Sequence, residues 1–200
     1  MATEKRPLES TTRTFDTTEG KINYAELSDL IAPKLLKLLD DITDEKYLNQ
    51  PFDEKLIKDF HYQIIGEIMP QIAGKWRTVP VQVGNWLPPE PYEIPVKMYE
   101  YVANMKARLD NAETLDLQIE ALAYAEGEFL HIHPFEDFNG RTIRAILSEL
   151  LMRFDLPMVD TAVKRDTTRF KKYQNALAEY DNGRIMSLME FWQERFSKQG

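Results

Sequence analysis

The sequence predicts an all-α protein, a mainly helical bundle carrying one short β-hairpin beside a polar loop. Three observations lead there. Apolar residues recur at three- and four-residue intervals over most of the chain. Strand-favouring residues with a turn signal are confined to one stretch near position 80. A dense polar string separates two of the most apolar helical segments. With 200 residues and 43% hydrophobic content, the chain is long enough to bury one substantial core.

Residues 1–20 are rich in Thr, Glu and Lys and poor in apolar side chains, so they read as a flexible N-terminal arm preceding one folded domain over 21–200. The arm has no apolar run and resembles neither a signal peptide nor a membrane anchor. Leu27, Leu30, Ile31, Leu35, Leu38 and Leu39 then form a helical stripe that Pro33 is expected to bend or divide. A second helix is predicted over 53–68 from Leu56, Ile57, Phe60, Ile64 and Ile68, with Met69-Pro70 ending it. Trp76, Thr78, Val79, Val81 and Val83, followed by Gly84-Asn85, predict the hairpin. Pro88, Pro89, Pro91 and Pro95 forbid a central strand afterwards and imply an extended surface segment leading to a helix over 95–109.

Between 115 and 130 the helical period returns in Leu115, Ile119, Leu122, Ala123, Phe129 and Leu130, and Pro134 stops it. It resumes after Gly140 in Ile143, Ile146, Leu147, Leu150, Leu151 and Phe154. A helical pair over 166–180 and 184–196 closes the chain, with Asp166 as the expected N-cap and Asn182-Gly183 as the turn.

Charge and composition exclude several functions. Thirty-three acidic against 25 basic residues leave a formal net charge of -8, which opposes nonspecific binding to nucleic acid or anionic membranes. The absence of cysteine removes disulfides, thiolate metal sites and thiol nucleophiles. Cytoplasmic residence is the expectation, and delivery into another cell is compatible with the same composition.

The polar string over 133–144 holds His133, Asp137, Asn139, Gly140, Arg141 and Arg144 between two apolar helices. A loop feeding a helix N-terminus presents unpaired N–H groups and the positive end of the helix dipole, which favour phosphate. Gly140 lets backbone approach a ligand, and Arg141 and Arg144 share one helix face within reach of phosphate oxygens. Asp137 adds one hard carboxylate, the donor that magnesium shares with phosphates and water, or else merely caps the helix that follows. His133, with an unperturbed pKa of about 6.5, can accept a proton from an attacking hydroxyl, a role worth roughly 10²–10⁴-fold in rate. A transition-metal site built from His131, His133 and Asp137 lacks a credible further ligand. His61, on a helix among apolar residues, reads as a packed histidine.

This string resembles the motif of the Fic family: His-Pro-Phe, a variable residue, Asp or Glu, Gly-Asn-Gly-Arg, two variable residues and Arg. The resemblance implies a Fic-type helical bundle over about 22–196, with Lys75, Trp76, Arg77, Thr78 and Val79 in a flap that docks the target segment by strand addition. It implies His133 as general base, Asp137 as magnesium ligand, Phe135 as a core anchor, and Asn139, Gly140, Arg141 and Arg144 as phosphate contacts. The activity implied is AMPylation, in which a protein Ser, Thr or Tyr hydroxyl attacks the α-phosphate of ATP with Mg2+. The implied partners are a nucleotide and a hydroxyl-bearing target protein, with a regulatory partner or homo-oligomer left open.

Phe138 stands where the family has Gly, in the loop that cradles phosphate. An aromatic at a left-handed or close-approach position costs about 1–3 kcal/mol or intrudes on the nucleotide. Three readings therefore stand: an adenylyltransferase, a transferase of another nucleotide or of phosphocholine, and a noncatalytic nucleotide-binding or interaction module. Gly140 disfavours the phosphotransferase branch resembling Doc toxins, which has Lys there. The family's inhibitory motif is not expected, because Phe15 and Leu122 occupy the Ser or Thr positions ahead of Glu19-Gly20 and Glu126-Gly127.

Overall fold

A computed structural model describes residues 13–84, 86–165 and 167–197. Its elements are, in order, the strands β1 (Thr14–Thr17) and β2 (Gly20–Asn23) and the helices α1 (Tyr24–Thr43), α2 (Glu54–Ile65), α3 (Ile94–Asn111), α4 (Leu115–Ile132), α5 (Asn139–Arg153), α6 (Thr168–Asp181) and α7 (Met186–Ser197). A single 3-10 turn, Pro91–Glu93, leads into α3. The helical class is as expected.

The caps explain the boundaries. Asn23 accepts from the N–H groups of Ala25 and Glu26 while the Glu26 carboxylate returns to the Asn23 N–H, a reciprocal cap that starts α1. Asp53, Thr114 and Thr167 cap α2, α4 and α6 more simply, each side chain accepting one backbone N–H, from Leu56, Leu117 and Phe170 respectively. Thr167 thus takes the role assigned to Asp166, which lies outside the described residues. Helix α1 runs unbroken through Pro33. Burial of Ile31 and Leu35 on either side offsets the roughly 3 kcal/mol that an interior proline costs. Helix α2 stops at Ile65 instead of Ile68, where Gly66, a poor helix former, begins a series of turns.

Helices α4 and α5 form the centre. Helix α4 packs on α3, α5, α6 and α7, and α5 packs on α1, α2 and α4. Leu122, Ala123, Ala125 and Phe129 from α4 and Ile146, Leu147, Leu150 and Leu151 from α5 belong to one fully buried cluster. Gly127 admits α6 at close range, since a Cβ there would lie 2.5 Å from the Tyr180 ring. Next to it, Glu126 makes a buried two-pronged ion pair with Arg195 of α7 at 2.6 and 3.0 Å and accepts the Tyr173 hydroxyl of α6 at 2.7 Å. Glu126 is therefore a structural clamp across three helices.

Two segments differ from expectation. From residue 13 onward the supposed arm is structured: β1 and β2 pair antiparallel with Phe15 opposite Ile22, and Thr18 donates its N–H to the Ile68 carbonyl at 2.9 Å. Its one buried aromatic, Phe15, is too little apolar signal to reveal docking from sequence. Residues 1–12 of that arm lie outside the described residues. The flap expected to be a hairpin is extended chain with one antiparallel bridge, Val83 to Trp86, so the regular two-stranded sheet lies in the N-terminal segment instead.

Replacing Arg195 with Leu strands the Glu126 carboxylate in the core. Stability should fall by about 3–5 kcal/mol, read from the midpoint of urea unfolding.

Candidate active site

The loop 133–138 joins the two central helices, and its shape follows from how its backbone is satisfied. His133 ends α4 with a left-handed backbone, φ 51°, and donates its N–H to the Phe129 carbonyl at 2.9 Å. Phe138 starts α5, also left-handed at φ 59°. The Asn139 side chain is buried beneath the loop, accepting the Phe135 N–H at 3.0 Å and donating to the Phe135 carbonyl at 2.8 Å. The amide expected at the phosphates is thus engaged within the loop, and only the backbone N–H of Asn139 remains available at the helix start. The first intrahelical bonds run from the Arg141 and Thr142 N–H groups to the Phe138 carbonyl, so the N–H groups of Asn139 and Gly140 precede them. A Cβ on Gly140 would meet nothing within 4 Å, so space adjoins these donors.

His133 is half-buried in terms of exposed surface, and its Nδ1 is buried without a hydrogen-bond partner. Burial pushes its pKa from 6.5 to about 4, the Leu130 carbonyl opposes that shift, and the Arg77 guanidinium adds to it. The imidazole is neutral at physiological pH.

Of the residues expected in the flap, Arg77 is a buried anchor and Trp76 is half-buried against the loop. Arg77 is buried, donates its N–H to the Pro134 carbonyl at 2.9 Å and its Nε to the His133 carbonyl at 2.8 Å, and also reaches the Val79 and Pro89 carbonyls. Trp76 packs its ring 4.9 Å from Phe135 and donates Nε1 to Glu54 at 3.2 Å. Lys75 is exposed and donates to the Pro70 and Gln71 carbonyls, while Thr78 and Val79 face solvent. At the far end Trp86 donates to the His131 carbonyl at 3.1 Å and packs on the His131 ring. The flap is pinned at both ends and open between them.

His61 is the residue that sequence reasoning undervalued. It is fully buried, stacked on Phe135 at 3.8 Å with the rings parallel to 1°. Its Nδ1 accepts the Gly74 N–H at 2.9 Å, which leaves Nε2–H to donate to the Asp137 carbonyl at 3.2 Å. One ring therefore ties the flap base to the active loop. Burial lowers its pKa to about 4, opposed by the Asp137 carbonyl. Its partners lie 13 and 76 residues away, so no local pattern marks them.

Asp137 directs Oδ1 to the Phe138 N–H at 2.9 Å and Oδ2 to the Arg13 guanidinium at 2.6 Å. Arg141 donates to the Ser28 hydroxyl of α1 at 2.9 Å and sits 5.4 Å from the Phe138 ring centroid. Arg144 is half-buried, with Nε buried and unpartnered; burial depresses its pKa, Asp160 opposes this and Arg141 reinforces it. Glu149, a possible partner for these arginines, pairs with Arg153 instead. His131 bonds Asp181 at 2.8 Å, and among the described residues no three His, Asp or Glu side chains gather as a metal site. A lone carboxylate beside unengaged backbone donors does fit magnesium brought in with phosphates, since that ion takes one or two protein carboxylates and completes its shell with phosphate and water.

The substituted position is accommodated. Phe138 adopts the left-handed backbone a glycine would take, and its ring is buried 6.3 Å from Phe15. Phe15 in turn lies 6.3 Å from Tyr24.

This helical bundle, with a polar loop between its two central helices, has counterparts among known proteins. The model of the Fic/DOC family matches residues 51–151, and the chain belongs to that family. It is 31% identical over 153 residues to the protein adenylyltransferase Fic of Drosophila persimilis and 30% over 152 residues to that of Drosophila melanogaster, in each case across 73% of this chain. It spans 28% and 30% of the length of those relatives. The fold superposes on the N-terminal FIC domain of Bep8, a VirB-translocated effector of Bartonella sp. 1-1C, with a TM-score of 0.76 at 14% identity, covering 94% of this chain and 93% of that one. BepC of Bartonella tribocorum, solved with bound AMPPNP, gives 0.71 at 15% identity with 94% of each chain covered.

Two measurements probe this geometry. Above about pH 6.5 His61 and His133 are neutral whether the chain is folded or unfolded. As pH falls toward 4 the unfolded chain takes up protons that the buried rings refuse, so stability is lost over that interval. The loss attributable to His61 is on the order of 2 kcal/mol at pH 5, and a His61→Gln variant should show a correspondingly flatter pH dependence in urea titrations. Phe138→Gly relieves about 1 kcal/mol of backbone strain but deletes a buried ring worth about 3–5 kcal/mol, so its melting temperature should fall.

Proposed function

We propose that this chain is a protein adenylyltransferase that moves AMP from ATP to a Ser, Thr or Tyr hydroxyl of a target protein with Mg2+. The observation that carries the reading is His133: an imidazole kept neutral by burial, its carbonyl tied to Arg77, one short loop before the free N–H groups that open α5. A module that only bound nucleotide would need the donors and not the base.

The target hydroxyl gives its proton to the neutral His133 ring as its oxygen forms a bond to the α-phosphorus. The bond from that phosphorus to the bridging oxygen breaks, and pyrophosphate departs with the electron pair. Negative charge on the phosphate oxygens is stabilised by the N–H groups of Asn139 and Gly140, the positive end of α5, and the guanidinium groups of Arg141 and Arg144. The unpartnered Nε of Arg144 is a donor in waiting for such an oxygen. Asp137 would hold the magnesium ion, which supplies further charge neutralisation on the phosphates. Thr78 and Val79, exposed between the two pinned ends of the flap, would offer backbone to an extended target segment.

The relatives named adenylyltransferases support ATP as donor, and the AMPPNP complex of a structural neighbour supports a nucleotide in this fold. The test incubates the protein and a His133→Ala variant with magnesium and α-labelled ATP, GTP, UTP or CTP over a cell extract. Label on protein from ATP, reduced at least 100-fold in His133→Ala, is the expected result. Label from another nucleotide alone would reassign the donor, and no label from any would remove nucleotidyl transfer.

A further inference from the structure

We infer that Arg13 is a further residue of this site, a resident cation on Asp137 that a divalent metal has to displace before the nucleotide can be held for reaction. The inference rests on Asp137 being the metal-holding carboxylate of the proposed transferase.

Oδ1 of Asp137 accepts the Phe138 N–H at 2.9 Å, while Oδ2, buried and without a hydrogen-bond partner, has the Arg13 guanidinium 2.6 Å away as its counter-charge. A metal entering at Oδ2 meets a full positive charge at bonding distance. The pair is partly shielded, with side-chain exposures of 23% for Arg13 and 22% for Asp137, so solvent weakens it less than an open surface pair.

A second contact set keeps Arg13 there. Its guanidinium lies 4.5 Å over the Phe15 ring, a cation–π arrangement, and Phe15 is buried between Tyr24 and Phe138. The hairpin is held further by Thr18 on the Glu67 and Ile68 carbonyls and by Gln71 on the Asp16 carbonyl. The aromatic at 138, which replaces the glycine of the family motif, thereby acquires a purpose. It is the floor on which Phe15 sits, and Phe15 aims Arg13 at Asp137. Tyr24 and Ser28, just beyond the hairpin, also meet Arg141, so this face contacts both the metal-side carboxylate and one phosphate-side arginine.

Arg13 therefore sets how much divalent cation the enzyme requires.

The experiment measures Mn2+ binding by electron paramagnetic resonance in the presence of a nonhydrolysable ATP analogue, for the parent chain, Arg13→Gln, Arg13→Lys and Phe15→Ala. Arg13→Gln should tighten the apparent Mn2+ dissociation constant by about three- to tenfold, with Arg13→Lys near the parent and Phe15→Ala shifted in the same direction as Arg13→Gln. In an Asp137→Asn background, Arg13→Gln should change nothing. Unchanged Mn2+ affinity in an Arg13→Gln protein that melts like the parent overturns the inference. So does weakened binding of the analogue, which would make Arg13 a phosphate contact instead. Because the readout is metal binding, tightened Mn2+ with no transfer to any target would sink the proposed reaction and leave the role of Arg13 intact.

Discussion

The constraint on which this site depends is that the chain between α4 and α5 carries polar backbone through the interior and must have it satisfied there. Unpaired buried amides and carbonyls each cost about 1–3 kcal/mol, so the loop keeps its shape only because specific partners meet them. Asn139 takes the Phe135 amide and carbonyl, Arg77 takes the His133 and Pro134 carbonyls, and His61 takes the Asp137 carbonyl. With those groups engaged, His133 Nδ1 and Arg144 Nε are left without hydrogen-bond partners, and the Asn139 and Gly140 N–H groups precede the first intrahelical bonds of α5.

The same partners couple the site to its surroundings. Arg77 and His61 both bridge loop and flap, so the flap is registered against the loop that carries His133 by direct hydrogen bonds. Two left-handed residues other than glycine, His133 and Phe138, bound the loop. Strained backbone of this kind persists where surrounding contacts over-determine it, and here Phe138 is held by its aromatic neighbours while His133 is held by Arg77. Electrostatics follow from the packing. Desolvation keeps His133 neutral, and the nearby guanidinium of Arg77 acts in the same direction.

The departure from the family motif at Phe138 also illustrates how a substitution is absorbed. Read in isolation, an aromatic at the motif's glycine position threatens either strain or obstruction. In the fold its backbone takes the glycine conformation and its ring turns into a cluster with Phe15 and Tyr24, contributed by a segment outside the matched family region. The loop's form is retained by adding a wall.

Helix positions, the two central apolar stripes and the polar string between them were legible in the sequence because each rests on neighbours three or four residues apart, or on consecutive residues. The family resemblance was legible for the same reason. Contacts across the chain were not. That Arg77 points inward, that Asn139 clasps its own loop, that His61 reaches Asp137 and that a polar N-terminal stretch folds back to set Arg13 on the same residue are decided by burial and by which groups are left needing partners once the helices pack. The sequence by itself determined the helices and the inventory of reactive groups. Only the tertiary structure decided which of those groups are engaged in holding the loop and which remain free to act, because hydrogen-bond satisfaction in a buried site depends on residues brought together from opposite ends of the chain.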